Sequence, residues 1–117
     1  IIILDFWYFG CAPCLKAMPK LNDLYNKYKK KGVTVYGLNP FDNSPKKIET
    51  INKFRSKSPI QYPLLFIEKE LANEYNINTY PTLILLKNGQ SIHTLIGYSE
   101  KDFKTLESII ETHIKTN

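Results

Sequence analysis

The hydrophobic and polar positions along the chain predict strands that alternate with helices. Residues 1–9 are almost entirely apolar, with Asp5 as the charged exception, which is typical of a central strand buried on both faces. After the second cysteine, apolar residues recur every three or four positions, the stripe of an amphipathic helix. They are Leu15, Met18, Leu21, Leu24, Tyr25 and Tyr28. Gly32 ends this helix, and residues 33–38 predict a second strand.

The middle of the chain continues the alternation. Ser44 followed by Pro45 is the signature of a helix N-terminus, with serine as the cap and proline at the first helical position. A short apolar run at residues 64–67 predicts a third strand, and residues 68–75 predict another short helix.

The last part of the chain predicts a hairpin and a final helix. Residues 81–86 read as a strand, Asn88-Gly89 as a hairpin turn and residues 91–96 as the returning strand. Ser99 with Asp102 three residues later resembles a capping box and predicts the start of the last helix. The order β-α-β-α-β-α-β-β-α predicts an α/β fold, with a mixed central sheet and helices on both faces.

Composition narrows the class of protein. The chain has 117 residues, of which 43% are hydrophobic and 13% aromatic, so residues 1–117 are expected to form a single domain with a substantial core. Disordered proteins contain fewer aromatic residues. The longest uninterrupted apolar runs, such as residues 1–4, are far too short to cross a bilayer.

The net charge of +5 suggests nucleic-acid binding as one hypothesis. However, several lysines cluster at positions 27 and 29–31, where the first helix is predicted to end. Cations at a helix C-terminus complement the helix dipole, so we expect no nucleic-acid partner.

Both cysteines of the chain lie in one motif, Cys11-Ala12-Pro13-Cys14, at the junction between the first strand and the first helix. Unpaired N–H groups and the helix dipole stabilise a thiolate there, which makes the first cysteine nucleophilic near neutral pH. We therefore predict that Cys11, exposed at the strand end, attacks a substrate disulfide and that Cys14 resolves the mixed disulfide. Asp5, within the strand, is expected to be desolvated and to accept a proton during this step.

Other interpretations of the motif stay open. A zinc site would need a second cysteine pair, and His93 and His113 lack zinc-finger spacing. A purely structural disulfide would close a very short loop and add little stability, and Asp5 could instead pair with a lysine. A copper-delivery protein would need a wider cysteine spacing and a histidine facing the thiols. A peroxidase would need an activating arginine, and the only arginine is Arg55.

Several spaced features together resemble the thioredoxin family. They are Asp5-Phe6-Trp7, Cys11-Ala12-Pro13-Cys14, Pro19 within the first helix, Tyr80-Pro81-Thr82, Lys87-Asn88-Gly89 and Gly97. The resemblance implies the thioredoxin fold, a cis peptide bond before Pro81, packing of Pro81 against the redox disulfide, and pairing of the Tyr80 backbone with a bound peptide. The other expected substrate-binding residues are Trp7, Gly10, Ala12 and Pro13. A strand aromatic such as Trp7 also suits the core.

The segment between Asn39 and Tyr80 holds 40 residues, more than plain thioredoxin has there, with an extra helix and strand at about residues 40–67. This insert resembles the TlpA/ResA-like branch of extracytoplasmic thiol-disulfide oxidoreductases, which are often membrane-tethered. The resemblance implies protein disulfides as substrates, an upstream thiol protein as reductant and an extracytoplasmic location, although a cytoplasmic one stays open. A tether would lie outside this chain.

The sequence departs from these relatives at three positions. Ala17 stands where ResA-type proteins have a glutamate, Gly10 where thioredoxin has a tryptophan, and Gly37 where it has a lysine. The N-terminal strands usual in the branch are also expected to be missing.

The function predicted from the sequence is the reduction of protein disulfides by dithiol–disulfide exchange. We expect no metal or organic cofactor, because the dithiol is itself the redox group, and we expect a monomer. The alternatives are a copper-binding or delivery protein, a disulfide oxidase or isomerase, a peroxidase, and an interaction domain that the disulfide only stabilises.

Overall fold

A computed structural model describes residues 1–114, and residues 115–117 of the predicted domain lie outside this part. In chain order, the strands and helices are β1 (Ile2–Phe6), α1 (Ala12–Tyr28), β2 (Thr34–Asn39), α2 (Pro45–Lys57), β3 (Leu64–Phe66), α3 (Lys69–Glu74), β4 (Thr82–Lys87), β5 (Gln90–Ile96) and α4 (Glu100–Ile114). A short 3-10 helix, Lys29–Lys31, follows α1. The predicted order of elements is confirmed.

The five strands form one mixed sheet in the order β3-β2-β1-β4-β5. The central strand β1 pairs in parallel with β2 and antiparallel with β4. The outer pairs are parallel for β2 with β3 and antiparallel for β4 with β5. In this register Asp5 lies between Gly37 on one side and Leu83 on the other. The predicted mixed sheet, with the first strand at its centre, is confirmed.

Hydrophobic clusters cover both faces of the sheet. Ile3 of β1 packs in a large cluster with residues of α1, α2 and α4, among them Met18, Ile51 and Leu106. Phe6 of β1 packs in a second cluster that includes Ala72 of α3. Because alternate residues of a strand point to opposite faces, the two clusters place helices on the two sides of the sheet, as predicted.

The first strand is shorter than the predicted run of residues 1–9. Trp7 still donates its N–H to the carbonyl of Leu38 at 3.1 Å, but the N–H of Phe9 donates to a carboxylate oxygen of Asp42 at 2.7 Å. A side-chain acceptor thus replaces a strand partner, and the chain turns away from the sheet. This turn leads directly into Cys11.

Two local signals in the sequence produce the expected structures. The Ser44 hydroxyl accepts the N–H of Lys47 at 3.4 Å and caps α2, while Pro45 occupies the first helical position. At the hairpin, Asn88 and Gly89 have φ values of 53° and 78°, the left-handed conformations that a tight two-residue turn requires. The predicted insert at about residues 40–67 contains α2 and β3.

Candidate active site

The two cysteines form a disulfide at the N-terminus of α1, with their Cα atoms 5.2 Å apart. Cys11 is the N-cap residue: its Sγ accepts the N–H of Cys14 at 3.2 Å, and its carbonyl accepts the N–H of Leu15 at 3.1 Å. In the dithiol form, this N–H donor and the helix dipole would stabilise a thiolate at Cys11. The local geometry therefore favours Cys11 as the nucleophile.

Both cysteines are enclosed, and Cys11 is more enclosed than the sequence suggested. Cys11 is 5% exposed and Cys14 is 1% exposed, because both belong to the large hydrophobic cluster. Ala12 and Pro13, in the first turn of α1, are exposed. Gly10 is also exposed, and a Cβ placed there would have the Tyr8 ring, 3.6 Å away, as its nearest neighbour. Access to Cys11 is therefore expected from the side of Gly10 and the helix tip.

The loop before β4 carries Tyr80 and Pro81, and the peptide bond between them is cis, as the resemblance implied. Pro81 is buried, and its carbonyl accepts the N–H of Gly97 at 2.8 Å. The hydroxyl of Thr82 donates to the carbonyl of Thr79 at 2.6 Å. These two hydrogen bonds fix the loop that contains Pro81, one at the proline itself and one between the residues on either side of the Tyr80–Pro81 pair. Packing of Pro81 on the disulfide and pairing of the Tyr80 backbone with a peptide stay predictions.

Asp5 lies in the middle of β1 and is 1% exposed. Neither of its carboxyl oxygens has a hydrogen-bond partner, and burial raises its pKa to about 7. Its side chain shares a face of β1 with Ile3, which packs in the same cluster as Cys14. A carboxyl group that is half-ionised near neutral pH can both accept and release a proton, so Asp5 has the properties of an acid–base group.

Two more buried polar groups surround Gly37, the residue that pairs with Asp5. A Cβ at Gly37 would lie 3.1 Å from Trp7 Nε1 and 3.4 Å from Tyr62 Cε1. Neither the Trp7 N–H nor the Tyr62 hydroxyl has a hydrogen-bond partner. Burial raises the pKa of Tyr62 well above its ordinary value, and the charge of Asp5 raises it further. Tyr62 was not identified from the sequence.

The structure does not support the prediction that Trp7 contacts substrate. Trp7 is 1% exposed and belongs to the large hydrophobic cluster. Its neighbour Tyr8 is only half-buried, because the chain turns away from the sheet at this point. Trp7 therefore has the alternative role in the core, and Tyr8 is the aromatic residue of this segment that reaches the surface.

Tyr8, Phe41 and Tyr80 form an aromatic ridge next to Gly10. The three ring centroids are 5.4 to 5.5 Å apart, and each pair packs edge to face, a favourable arrangement for aromatic rings. The ridge lines a groove of about 690 Å³ that Gly10 and Asp42 also line. Because Gly10 directly precedes Cys11, this groove opens beside the nucleophile.

Asp42, which the sequence did not single out, connects the insert to the turn before Cys11. Its buried carboxylate accepts the N–H of Phe9 at 2.7 Å and the amide of Asn39 at 2.8 Å, and it lies 3.6 Å from the ammonium of Lys47. The side-chain carbonyl of Asn39 accepts the N–H of Phe41 at 2.9 Å. The network holds the aromatic ridge and the turn before the nucleophile together.

Within residues 1–114, no group of three or more His, Cys, Asp or Glu side chains could hold a metal ion. In the same part of the chain, no helix combines the length and the apolar character needed to span a bilayer. The expected absence of a cofactor stays a prediction.

The mixed sheet and the disulfide at the tip of its first helix define a thioredoxin-like protein with a dithiol–disulfide site. The sequence also matches the AhpC/TSA family over residues 1–94, and the chain belongs to this family.

Relatives with assigned names point to the same chemistry. The chain is 33% identical over 112 residues to thiol-disulfide oxidoreductase ResA of Geobacillus kaustophilus, covering 92% of this chain and 62% of that protein. It is 32% identical over 104 residues to ResA of Bacillus anthracis, covering 86% of this chain and 57% of that protein. The chain therefore spans about three fifths of the length of these relatives.

Solved structures extend the similarity to the fold. A protein from Chlorobium tepidum assigned as thiol:disulfide interchange protein DsbE superposes with a TM-score of 0.85 at 28% identity, covering 97% of this chain and 79% of that one. StoA from Bacillus subtilis superposes with a TM-score of 0.72 at 30% identity, covering 88% and 79%. The expected thioredoxin fold is confirmed.

Proposed function

We propose that the protein is a thiol-disulfide oxidoreductase that reduces disulfides in other proteins. The observation that carries this proposal is the Cys11–Cys14 disulfide at the N-terminus of α1, on the face of the sheet that also buries Asp5. Relatives named thiol-disulfide oxidoreductase ResA support it.

The first step is attack by the Cys11 thiolate on one sulfur of a substrate disulfide. A mixed disulfide forms between Cys11 and the substrate, the substrate S–S bond breaks, and the second substrate sulfur leaves as a thiolate that takes up a proton. The N–H of Cys14, 3.2 Å from the Cys11 sulfur, is placed to stabilise the attacking thiolate.

The second step regenerates the disulfide of the protein. Cys14 loses its proton and attacks the Cys11 sulfur, the mixed disulfide breaks, and the reduced substrate leaves as a thiolate. Asp5 is the proposed proton acceptor, because its pKa of about 7 lets it take up a proton at neutral pH. The substrate gains two electrons, which an upstream dithiol protein must then restore to the pair.

The location of the protein, its oligomeric state and the surface that its partners contact are also proposals. Extracytoplasmic action and a membrane tether are proposed from the resemblance to the TlpA/ResA-like branch. We expect a monomer, which sedimentation equilibrium measures directly. Substrate proteins and the reductant are expected to meet the protein at the surface around Gly10, Ala12 and Pro13, because these residues are exposed beside the disulfide.

The reduction potential of the Cys11–Cys14 pair tests the direction of electron flow. We expect equilibration in dithiothreitol buffers to give a value near that of thioredoxin, about −270 mV. A value between about −180 and −120 mV is typical of an isomerase or an oxidant and would contradict the proposed reductase activity.

Trapping of mixed disulfides tests the two cysteine roles. Cys14→Ser should accumulate a mixed disulfide with a disulfide-containing probe protein such as insulin, because attack proceeds and resolution cannot. Cys11→Ser is the matched control and should trap little. Equal or greater trapping by Cys11→Ser would reverse the assignment, and rapid turnover of hydrogen peroxide by the unmodified protein would favour the peroxidase alternative.

A further inference from the structure

Two surface grooves share Phe41 and Tyr80 of the aromatic ridge. The first groove, of about 690 Å³, contains Gly10 and Lys47 in addition to the ridge. The second groove, of about 250 Å³, contains Lys69 and Ala72 in addition to these two residues. Two neighbouring depressions that share a wall suit side chains from one extended polypeptide, because successive side chains of a strand point to opposite sides.

The shared wall is apolar and accessible. Phe41 is 42% exposed although it is a large hydrophobic residue, and Tyr80 is half-buried. The edge-to-face packing of the three ridge rings and the hydrogen bond from the Phe41 N–H to Asn39 hold the ring of Phe41 outward. A preformed, partly exposed aromatic surface loses little conformational freedom when it binds an apolar side chain.

The solvent-facing charges of the two grooves are positive. Lys47 exposes 58% of its side chain in the first groove, and the ammonium of Lys69 in the second lies 5.5 Å above the Phe41 ring. Among the described residues that line the grooves, Asp42 is the only carboxylate. It is 6% exposed and already accepts hydrogen bonds from Phe9 and Asn39. An incoming carboxylate therefore meets two ammonium groups, and the competing carboxylate of the grooves is the buried Asp42, 3.6 Å from the ammonium of Lys47.

We infer that the substrate segment which enters this site is extended and carries large apolar side chains and carboxylates on either side of its disulfide cysteine. Phe41 provides the contact for the apolar side chain, and Lys47 and Lys69 pair with the carboxylates. This inference rests on the proposed function, since it names the substrate of the same Cys11 site. It makes Phe41, Lys47 and Lys69 specificity-determining residues for the exchange reaction.

The test uses heptapeptides whose central cysteine is joined by a disulfide to 2-thiopyridine, a chromophore released on reduction. One peptide has phenylalanine on both sides of the cysteine and aspartate beyond. The other three replace the aspartates by asparagine, the aspartates by lysine, or the phenylalanines by serine. Second-order rate constants are measured with the reduced protein and divided by the rate constant of the same variant with 2,2′-dithiodipyridine.

The aspartate peptide is expected to react at least about fivefold faster than the lysine peptide at low salt, because each exposed ion pair contributes roughly a 1.5- to 5-fold effect. The difference should shrink in 0.5 M sodium chloride, which screens exposed charges. Lys47→Gln and Lys69→Gln should each lower the advantage of the aspartate peptide, whereas Lys101→Gln, an exposed lysine of α4 outside both grooves, should leave it unchanged.

The apolar contact has its own matched pair of variants. Phe41→Ala should lower the normalised rate of the phenylalanine peptides by about five- to tenfold and abolish their advantage over the serine peptide. Leu71→Ala truncates a comparably exposed apolar residue of α3 that lines neither groove, so it should preserve that advantage.

The results that would overturn this inference differ from the result that would refute the proposed function. Equal rates for the aspartate, asparagine and lysine peptides, or an equal loss in Lys101→Gln, would overturn the inference and leave the reductase function intact. Equal rates for the phenylalanine and serine peptides would overturn it as well. A reduced protein that reacts neither with the peptides nor with 2,2′-dithiodipyridine would refute the proposed function itself.

Discussion

Replacing Asp5 by asparagine should make the protein more stable at alkaline pH. Asp5 is 1% exposed, and neither carboxyl oxygen has a hydrogen-bond partner that would compensate for lost hydration. Ionising this group inside the folded protein is therefore costly, which is why burial raises its pKa. Asparagine has nearly the same shape but stays neutral at every pH, so it avoids this cost.

The magnitude follows from the two pKa values of Asp5. The folded-state pKa is about 7, against an ordinary value of 3.8. Because the folded-state pKa is the higher one, the proton on Asp5 contributes its full stabilisation of the folded protein below about pH 4. This stabilisation is lost as the pH rises to about 7. A difference of about three pH units, at about 1.4 kcal/mol for each, corresponds to about 4 kcal/mol.

Urea denaturation of the oxidised proteins between pH 4 and pH 9 measures this effect. The difference in unfolding free energy between Asp5→Asn and the unmodified protein should grow in favour of the variant by up to about 4 kcal/mol between pH 4 and pH 8. Asp23→Asn, at an exposed position of α1, is the matched control and should follow the unmodified protein. Parallel stability curves for Asp5→Asn and the unmodified protein would refute the reasoning.

Further substitutions test the packing around the site by urea denaturation. Gly37→Ala should lower the unfolding free energy by about 1–3 kcal/mol, because the new Cβ would lie 3.1 Å from Nε1 of the buried Trp7 ring and would also displace a Leu64 methyl group 2.6 Å away. Gly10→Ala, where the nearest atom is 3.6 Å away, should change stability by less than about 0.5 kcal/mol, and equal effects at both glycines would contradict the geometry. Asp42→Ala should cost about 1–3 kcal/mol, because the N–H of Phe9 loses its acceptor, and a neutral result would show that this network stabilises nothing.

The sequence predicted those parts of the fold that local signals determine. The apolar periodicity of α1, the Ser44 cap and the Asn88-Gly89 turn each depend on residues close together in the chain. The position of Cys11 at a helix N-terminus was also predicted from residues close to it in the chain. The cis bond before Pro81 had no local signal and was predicted only through the resemblance to thioredoxin.

The parts that were missed depend on contacts between distant segments. Tyr80 was predicted as a substrate-binding residue, but its ring contacts with Tyr8 and Phe41 were not. These residues come from separate parts of the chain, and only the tertiary structure brings their rings together. Asp42 lies in a stretch whose residues are typical of a turn, and nothing local indicates that its carboxylate accepts the N–H of Phe9. That hydrogen bond also ends β1 early, which is why Trp7 stays in the core while Tyr8 reaches the surface.

The stability and the activity of the Asp5→Asn variant are linked by one titration. In the oxidised protein the cysteines carry no titrating thiol, so the pH at which the difference between the two stability curves stops growing reflects the folded-state pKa of Asp5 without interference from them. When a dithiol such as dithiothreitol reduces the oxidised protein, the departing Cys14 thiolate needs a proton that Asp5 can supply only in its protonated form. The rate ratio of unmodified protein to variant cancels the titration of dithiothreitol and should fall through the same pH, near 7. Separation of the stability curves with a constant rate ratio would show that Asp5 is a buried acid without a part in the exchange.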